Sequence, residues 1–496
     1  MANNIGLVTI EDALKTVQSG LPAQDAPGSS QTVMLHDPTG APVAKAPVVQ
    51  TPEGEGQMYF ERTWNLTTST SVAAAWGGNL ALGQRPEDYL GLGCYLVTND
   101  HKREKLMPGD HYHLAKGGVA KLDGSMGHYQ FGWGKPFYLN LLMQGGMMTL
   151  GFSFKKRAGY KNFYVPVATD SAAGWATIER STGRLVSYIN EGADYRGGNN
   201  TSAYDGKYNS LLGRPVSSMT TNAFLTAARL NGDGWLGSCG RFCAVEAILF
   251  YIIFGNLNAQ ADFNPNRDVN GLRQGGLGTG PTNAGAWWSK SVDEGGFGYL
   301  PVIPMSAGIE LGDACGVFTY DVKDADGNVL QTMQCTSFFG HKNALGGIMW
   351  RMMTDELLRN NADGSQTHLI AEKIKKVSDA YTYSIGDSAA GFIEGATGPT
   401  YAEAGWNYVT RIAIGSVLEL FPTAVGGSSA TSFADGYYNP VATSGIRLVL
   451  RSGPLDGGGY CGPAFVYGRD GVGVSDAYRG SSLCEVDEEW PVDEAA

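Results

Sequence analysis

Residues 445–486 read GIRLVLRSGPLDGGGYCGPAFVYGRDGVGVSDAYRGSSLCEV, and in them glycine recurs every few positions between short apolar runs. Glycine tolerates backbone conformations closed to other residues, so Gly453, Gly457 to Gly459, Gly462, Gly468, Gly471, Gly473 and Gly480 allow sharp turns between very short strands. Arg447 to Leu450, and Ser481 with Leu483 to Val486, read as two framing strands that belong to the scaffold. Between them Leu455, Asp456, Tyr460, Phe465, Tyr467, Arg469, Asp470, Asp476 and Tyr478 mix aromatics with charges. Tyr and Arg offer large contact area and hydrogen bonding at modest entropy cost, which is the composition of a recognition patch. Phe465 and Tyr467 fit a core strand equally well, with only the charged residues exposed.

Upstream, residues 219–260 carry the helical signals. Thr220, Thr221 or Asn222 caps a helix through Phe224, Leu225, Ala228 and Leu230, and Asn231-Gly-Asp-Gly234 stops it. A second helix, from about Arg241 to Asn256, is apolar nearly all round and is therefore expected to be buried. Loops and short strands fill the remainder, apart from helical patterns at Ile348 to Leu358 and His368 to Val377. Before the helices, β-type runs occur at Met58 to Leu66, Tyr95 to Val97, Phe137 to Met143, Met148 to Phe154 and from Phe163, and residues 174–187 read as strand, turn and strand. After a helix-like start at Ile10 to Val17, residues 19–56 contain Pro22, Pro27, Pro38, Pro42, Pro47 and Pro52, which favour an extended arm or a disordered linker over a packed element. The expected division is an extended segment 1–57, a β-rich domain 58–160 and a larger domain 161–490 that ends in the segment 445–486.

Composition narrows the chemistry. A net charge of −12, with no Lys/Arg-rich run, argues against nucleic acid as a partner. Glycine, 70 of 496 residues, is about twice its usual share and favours turns and loops. Met1 to Val17 lacks the basic start and apolar core of a secretory signal. The longest apolar stretch, Ala244 to Leu257, is interrupted by Glu246 and Gly255 and falls short of the ~20 residues a bilayer span needs, so no membrane insertion is expected. Seven cysteines, an odd and dispersed set, suit buried thiols in a reducing compartment, and Cys239 with Cys243 lacks the further ligands of a zinc site. Asp324 to Asn328 resembles the start of a calcium loop, but its twelfth position is Cys335 and a hairpin turn fits better. His111 and His113 in the Asp-His-Tyr-His run at 110–113 are too few for a metal, and a solvated loop is expected there. The glycines of 275–280 lack the Lys of a phosphate loop, and no Gly-x-Ser-x-Gly elbow with a plausible His is present. Scattered Asp and Glu leave a glycosidase pair open, since only geometry identifies one.

Several phrases, in one order, resemble a known family. FLTAARLNGDGW (Phe224 to Trp235) and AVEAILFYIIFGNLNAQ (Ala244 to Gln260) look like its two helices, and GLRQGGLGTGPT (Gly271 to Thr282) like the loop after them. FFGHKNALGGIMWR (Phe338 to Arg351) is similar to its Asn-Pro-Phe-Gly-x-x-Trp segment through Asn343, Gly346 and Trp350, with Ala344-Leu345 where the family has Pro-Phe. FPTAVGGSSATSFADGYY (Phe421 to Tyr438) and the terminal segment resemble its variable region, with Pro454-Leu455 in place of a frequent aromatic. The family is that of phage tropism determinants and diversity-generating-retroelement targets, and the likeness covers roughly residues 160–490.

The resemblance implies an α+β, β- and loop-rich architecture. A C-type-lectin-like C-terminal domain would follow a small β domain and an extended arm. It further implies a homotrimeric tail- or head-fibre protein of a bacteriophage particle, made in the host cytoplasm and joined to other virion proteins by its N-terminal segment. Such a protein adheres without catalysis, metal or cofactor to a bacterial cell-surface receptor, a glycan or an outer-membrane protein, through residues 445–486. Two alternatives stay open: a structural virion component for capsid decoration or tail assembly, and an enzyme like the formylglycine-generating oxidases of the same fold. The second would use Cys461 or Cys484, yet no His follows residue 368 to serve either.

Overall fold

The computed structural model describes residues 58–491 except 81–83, 198–200, 279–302, 325, 344–348, 378–384, 402 and 454–457, together with the backbone of Thr32–His36 and Pro42–Pro47. The chain divides into two units, Met1–Gly54 and Glu55–Ala496. In the first, Thr32–His36 and Pro42–Pro47 pair antiparallel with Thr32 opposite Pro47. This corrects the expectation of an arm without paired structure: Pro42 and Pro47 stand at the two ends of their strand, where a missing N–H disturbs the ladder least. The helix-like start at 10–17 lies outside the described residues.

Across the described residues strand outweighs helix, 40% against 11%, so the architecture is β-rich. Three large sheets meet around one helix. The first runs Lys161–Val165, Phe137–Gln144, Met147–Ser153, Tyr59–Asn65, Ala75–Gly78, antiparallel throughout. The second runs Trp235–Leu236, Cys484–Val486, Ala168–Ser171, His128–Gly132, Gly93–Val97, Arg103–Met107, Asp110–Leu114. The third, of nine strands, runs Phe392–Thr397, Gln366–Ala371, Trp350–Asn360, Ile446–Ser452, Gly462–Tyr467, Gly436–Asn439, Gly405–Ile414, Leu420–Val425, with Arg479–Gly480 parallel to Trp350–Asn360. No boundary falls near residue 160: Lys161–Val165 pairs with Phe137–Gln144, and Ala168–Ser171 sits between His128–Gly132 and Cys484–Val486. The two framing strands of the terminal segment accordingly enter different sheets, Ile446–Ser452 the third and Cys484–Val486 the second.

Both helices form where the sequence places them. Helix α1, Thr221–Arg229, is capped by Thr220, whose side chain accepts from Ala223 N at 3.2 Å. Helix α2, Gly240–Phe254, is buried at nearly every position and touches strands of all three sheets. Phe242 stacks on Trp133 at 4.9 Å, and Tyr251 meets Phe433 at 5.6 Å. Gly255 ends α2 in the left-handed conformation, and Arg62 Nε donates to the Ile252 carbonyl at 3.1 Å, a cation at the negative end of the helix dipole. No helix among the described residues is long and apolar enough to cross a membrane.

The two other helical patterns are strands, Trp350–Asn360 and Gln366–Ala371. Both are covered on each face, so the period-two alternation that marks a half-exposed strand is missing. Charged residues inside the first are paired rather than solvated. Arg451 forks onto Glu356 (Nε to Oε2 2.9 Å, Nη2 to Oε1 3.0 Å), with His368 Nε2 3.2 Å from Oε1. Arg351 donates to Asp170 at 2.8 Å and to the Gly174 carbonyl at 2.6 Å. Asp355 accepts from Gly240 N at 2.6 Å and so caps α2 from another element. A Cβ on Gly240 would lie 2.0 Å from the Glu356 carboxyl carbon, so the helix start approaches this network only as glycine.

Burial opposes ionisation of Glu356, yet Arg451 and His368 prevail and hold its pKa down, to about 2 from the ordinary 4.5. With the folded value depressed, this contribution to stability is complete above about pH 4.5 and is lost as the pH falls towards 2. Arg451→Met is expected to strand a buried carboxylate at a loss of about 3–5 kcal/mol, read from denaturant midpoints at neutral pH. The same variant should show a flatter decline of melting temperature below pH 4.5 than the parent. Equal midpoints would mean the pair holds nothing.

Candidate functional site

Five strands of the third sheet align one cross-strand row. Trp406 stands opposite Tyr438, Tyr438 beside Tyr467, Tyr467 opposite Leu450, and Leu450 opposite Met352. Leu450 and Met352 are buried, while Trp406 and Tyr438 are half-buried, so the row rises from the core to the surface at its Trp406 end. Period-two alternation adds Tyr408 to Trp406, Phe465 to Tyr467 and Trp350 to Met352 on the same face. The rings form one connected series. Tyr408 stacks on Tyr460 at 4.6 Å and Tyr460 on Trp406 at 5.0 Å. Trp406 lies 5.1 Å from Tyr438 and 5.7 Å from Tyr467, and Tyr467 stacks on Trp350 at 4.5 Å with Tyr478 beyond it at 6.4 Å.

The opposite face is core. Tyr437 and Val466, which pair, are both buried, and Tyr437 OH donates to Gln366 Oε1 at 3.1 Å. Asp435, on that side with Tyr251 of α2, accepts from Ala464 N at 2.7 Å, and burial drives its pKa well above the carboxylate range. A Cβ on Gly462 would lie 1.9 Å from Asp435 Oδ1, so this glycine is demanded by close approach.

The residues expected to bind separate into groups. Tyr460 is half-buried inside the ring series, and Tyr478, 38% exposed, closes its far end. Phe465 is fully buried and Tyr467 is 6% exposed, so the core-strand reading holds for Phe465 and nearly so for Tyr467. Arg469 is exposed and hydrogen-bonded to Tyr467, which raises its pKa, while burial raises that of Tyr467. Asp470 and Asp476 both pair with Arg479, whose guanidinium lies 4.7 Å over the Trp350 ring. Those two carboxylates brace the loop through Arg479. Leu455 and Asp456 lie outside the described residues.

Trp406, Tyr408 and Tyr438 were not among the expected contacts. Their signal was the alternation in Gly405–Ile414, GWNYVTRIAI, and in Gly436–Asn439, GYYN, both upstream of the terminal segment.

Elsewhere, Asp324 Oδ1 accepts from Asp326 N and Asn328 N at 2.9 and 2.8 Å, in the turn between the paired strands Gly316–Lys323 and Val329–Phe338, as a hairpin requires. His101, Glu485 and Asp487 converge, but Arg103 donates to both carboxylates and already supplies the cation. The run 110–113 is no solvated loop. It opens the strand Asp110–Leu114, where His113 is exposed beside Asp110 and His111 is fully buried. No protein-family model matches the chain, and no curated protein matches it.

Substitutions on this face should divide by burial. Phe465→Ala is expected to lose about 3–5 kcal/mol, whereas Arg469→Ala should stay within about 0.5 kcal/mol of the parent, both from denaturant unfolding. A mild Phe465→Ala would show that this strand is not core.

Proposed function

We propose that the chain is a non-enzymatic receptor-binding protein of a bacteriophage particle, which adheres to a glycan of the bacterial surface through the ring series Tyr408, Tyr460, Trp406, Tyr438 and Tyr478. The observation that carries this reading is the half-exposed run of rings on a sheet whose other face is locked into the core. Aromatic rings with hydroxyls at their edges match sugars, which present C–H faces and ringed hydroxyls, and rigid strands keep the ordering cost low. Its likeness to tropism determinants supports the phage assignment, the lectin-like fold and assembly as a homotrimer. Several copies on one particle would turn modest single-site affinity into firm attachment.

The buried thiols weigh against the oxidase alternative. Cys461 and Cys484 are both buried, and burial pushes the Cys484 thiol well above its ordinary pKa, away from the thiolate that such chemistry needs.

Labelled protein should bind intact cells of some isolates in a bacterial panel, and periodate oxidation of the cell glycans should abolish that binding. A Trp406→Ala, Tyr460→Ala double variant with an unchanged fold should bind at least about tenfold more weakly. Equal binding by the double variant, or binding to no isolate, would make the face an assembly surface of a structural virion part.

A further inference from the structure

We propose that Cys94, His111 and Asp313 form a binding site for one divalent transition-metal ion of the zinc type. The three residues come from separate segments: Cys94 from Gly93–Val97, His111 from Asp110–Leu114, and Asp313 from the turn ahead of Gly316–Lys323. One donor atom of each lies within 4.8 Å of the other two. Cys94 and His111 are fully buried, and the Asp313 side chain is 9% exposed.

The second nitrogen of the histidine is already engaged. His111 Nδ1 is 2.6 Å from Tyr129 OH, which fixes the ring and turns Nε2 towards Asp313 Oδ1 at 2.9 Å. A hydrogen bond to the remote nitrogen is the usual support of a ligating histidine. Asp313 is held in turn by Cys94 N, which donates to Oδ1 at 3.0 Å. Glycines close the space around the donors: a Cβ on Gly340 would lie 2.6 Å from Cys94 Sγ, and one on Gly93 2.4 Å from Asp313 Oδ2.

One sulfur, one imidazole nitrogen and one carboxylate oxygen form a set of mixed softness. It suits zinc and its neighbours and disfavours calcium and magnesium, which take oxygen donors. Ligation exchanges the thiol proton for the metal: the S–H bond breaks, an S–metal bond forms and H+ leaves to solvent, while the His111 proton shared with Asp313 moves from Nε2 to Nδ1, where it is donated to Tyr129 OH and frees Nε2 to bind the metal. One buried lysine faces the set. Lys342 Nζ donates to the carbonyls of Gly312 and Gly340 at 3.1 and 3.0 Å; burial lowers its pKa, and Cys94 and Asp313 oppose that shift. Its protonated form balances Asp313 before the metal enters and opposes the metal afterwards, so it limits affinity. A bound ion would clamp the edge of the second sheet to the turn that leads into the Gly316–Lys323 hairpin.

Cobalt(II) titrated into the reduced, chelator-stripped protein tests the site. The expected result is one cobalt per chain, with a thiolate-to-cobalt charge-transfer band that zinc displaces, that Cys94→Ser abolishes and that Lys342→Met reaches at lower cobalt concentration. The parent should also melt at a higher temperature with zinc than after chelation. Sub-stoichiometric cobalt without the band in the parent overturns the proposal whatever the variants do, and so does a band that persists in Cys94→Ser.

Discussion

A helix with almost no solvent-facing side chain, Gly240–Phe254, brings an uncapped N-terminus and a glutamate into the centre of three sheets, and each of these polar features needs a partner there. Asp355 supplies the N-terminal acceptor and His341 Nδ1, 2.6 Å from Glu246, meets the glutamate. Each partner comes from a different stretch of chain, so the helix is satisfied only when the sheets have closed around it. Leaving any of these groups unpaired in the interior costs more than the bond itself contributes, which makes the arrangement selective for one packing.

The aromatic face inherits its order from this centre. Trp350–Asn360 carries Arg351, Asp355 and Glu356 into the network and Trp350 onto the face, and Ile446–Ser452 likewise carries Arg451 inward. The neighbouring Gly462–Tyr467 strand is set by α2 on one side, and its Tyr467 lies among the rings on the other. A one-residue slip in Trp350–Asn360 or Ile446–Ser452 would carry Arg351, Glu356 or Arg451 to the face away from its partner, so the buried pairs fix the register that sets which rings emerge. Loop 468–478 is tied down by Arg479 between Asp470 and Asp476, and by Leu448 N donating to the Asp470 carbonyl at 2.8 Å.

What was legible in the sequence was local. The cap at Thr220 and the turn at Asp324 to Asn328 each act within a few residues, and each stands where its chemistry points. What was hidden depends on distant partners. Trp350–Asn360 looked helical because its charges, paired at residues 170 and 451, mimic the polar side of a helix. A boundary near 160 seemed natural because nothing near that point reveals that Ala168–Ser171 pairs with Cys484–Val486. The candidate face was half legible: Tyr460 and Tyr478 could be picked out as aromatics among glycines, but Trp406, Tyr408 and Tyr438 reach them only through sheet pairing. His111 was taken for a surface residue because Cys94 and Asp313 are remote in sequence.

If adhesion is the work of this face, the supporting sheets should stay inert when a receptor binds. Hydroxyl-radical footprinting of the chain, free and bound to a purified surface polysaccharide from a strain it recognises, measures this ring by ring. Protection confined to Trp406, Tyr408, Tyr438, Tyr460 and Tyr478 is the predicted result. Unchanged labelling of those five rings, with protection elsewhere, would contradict the account.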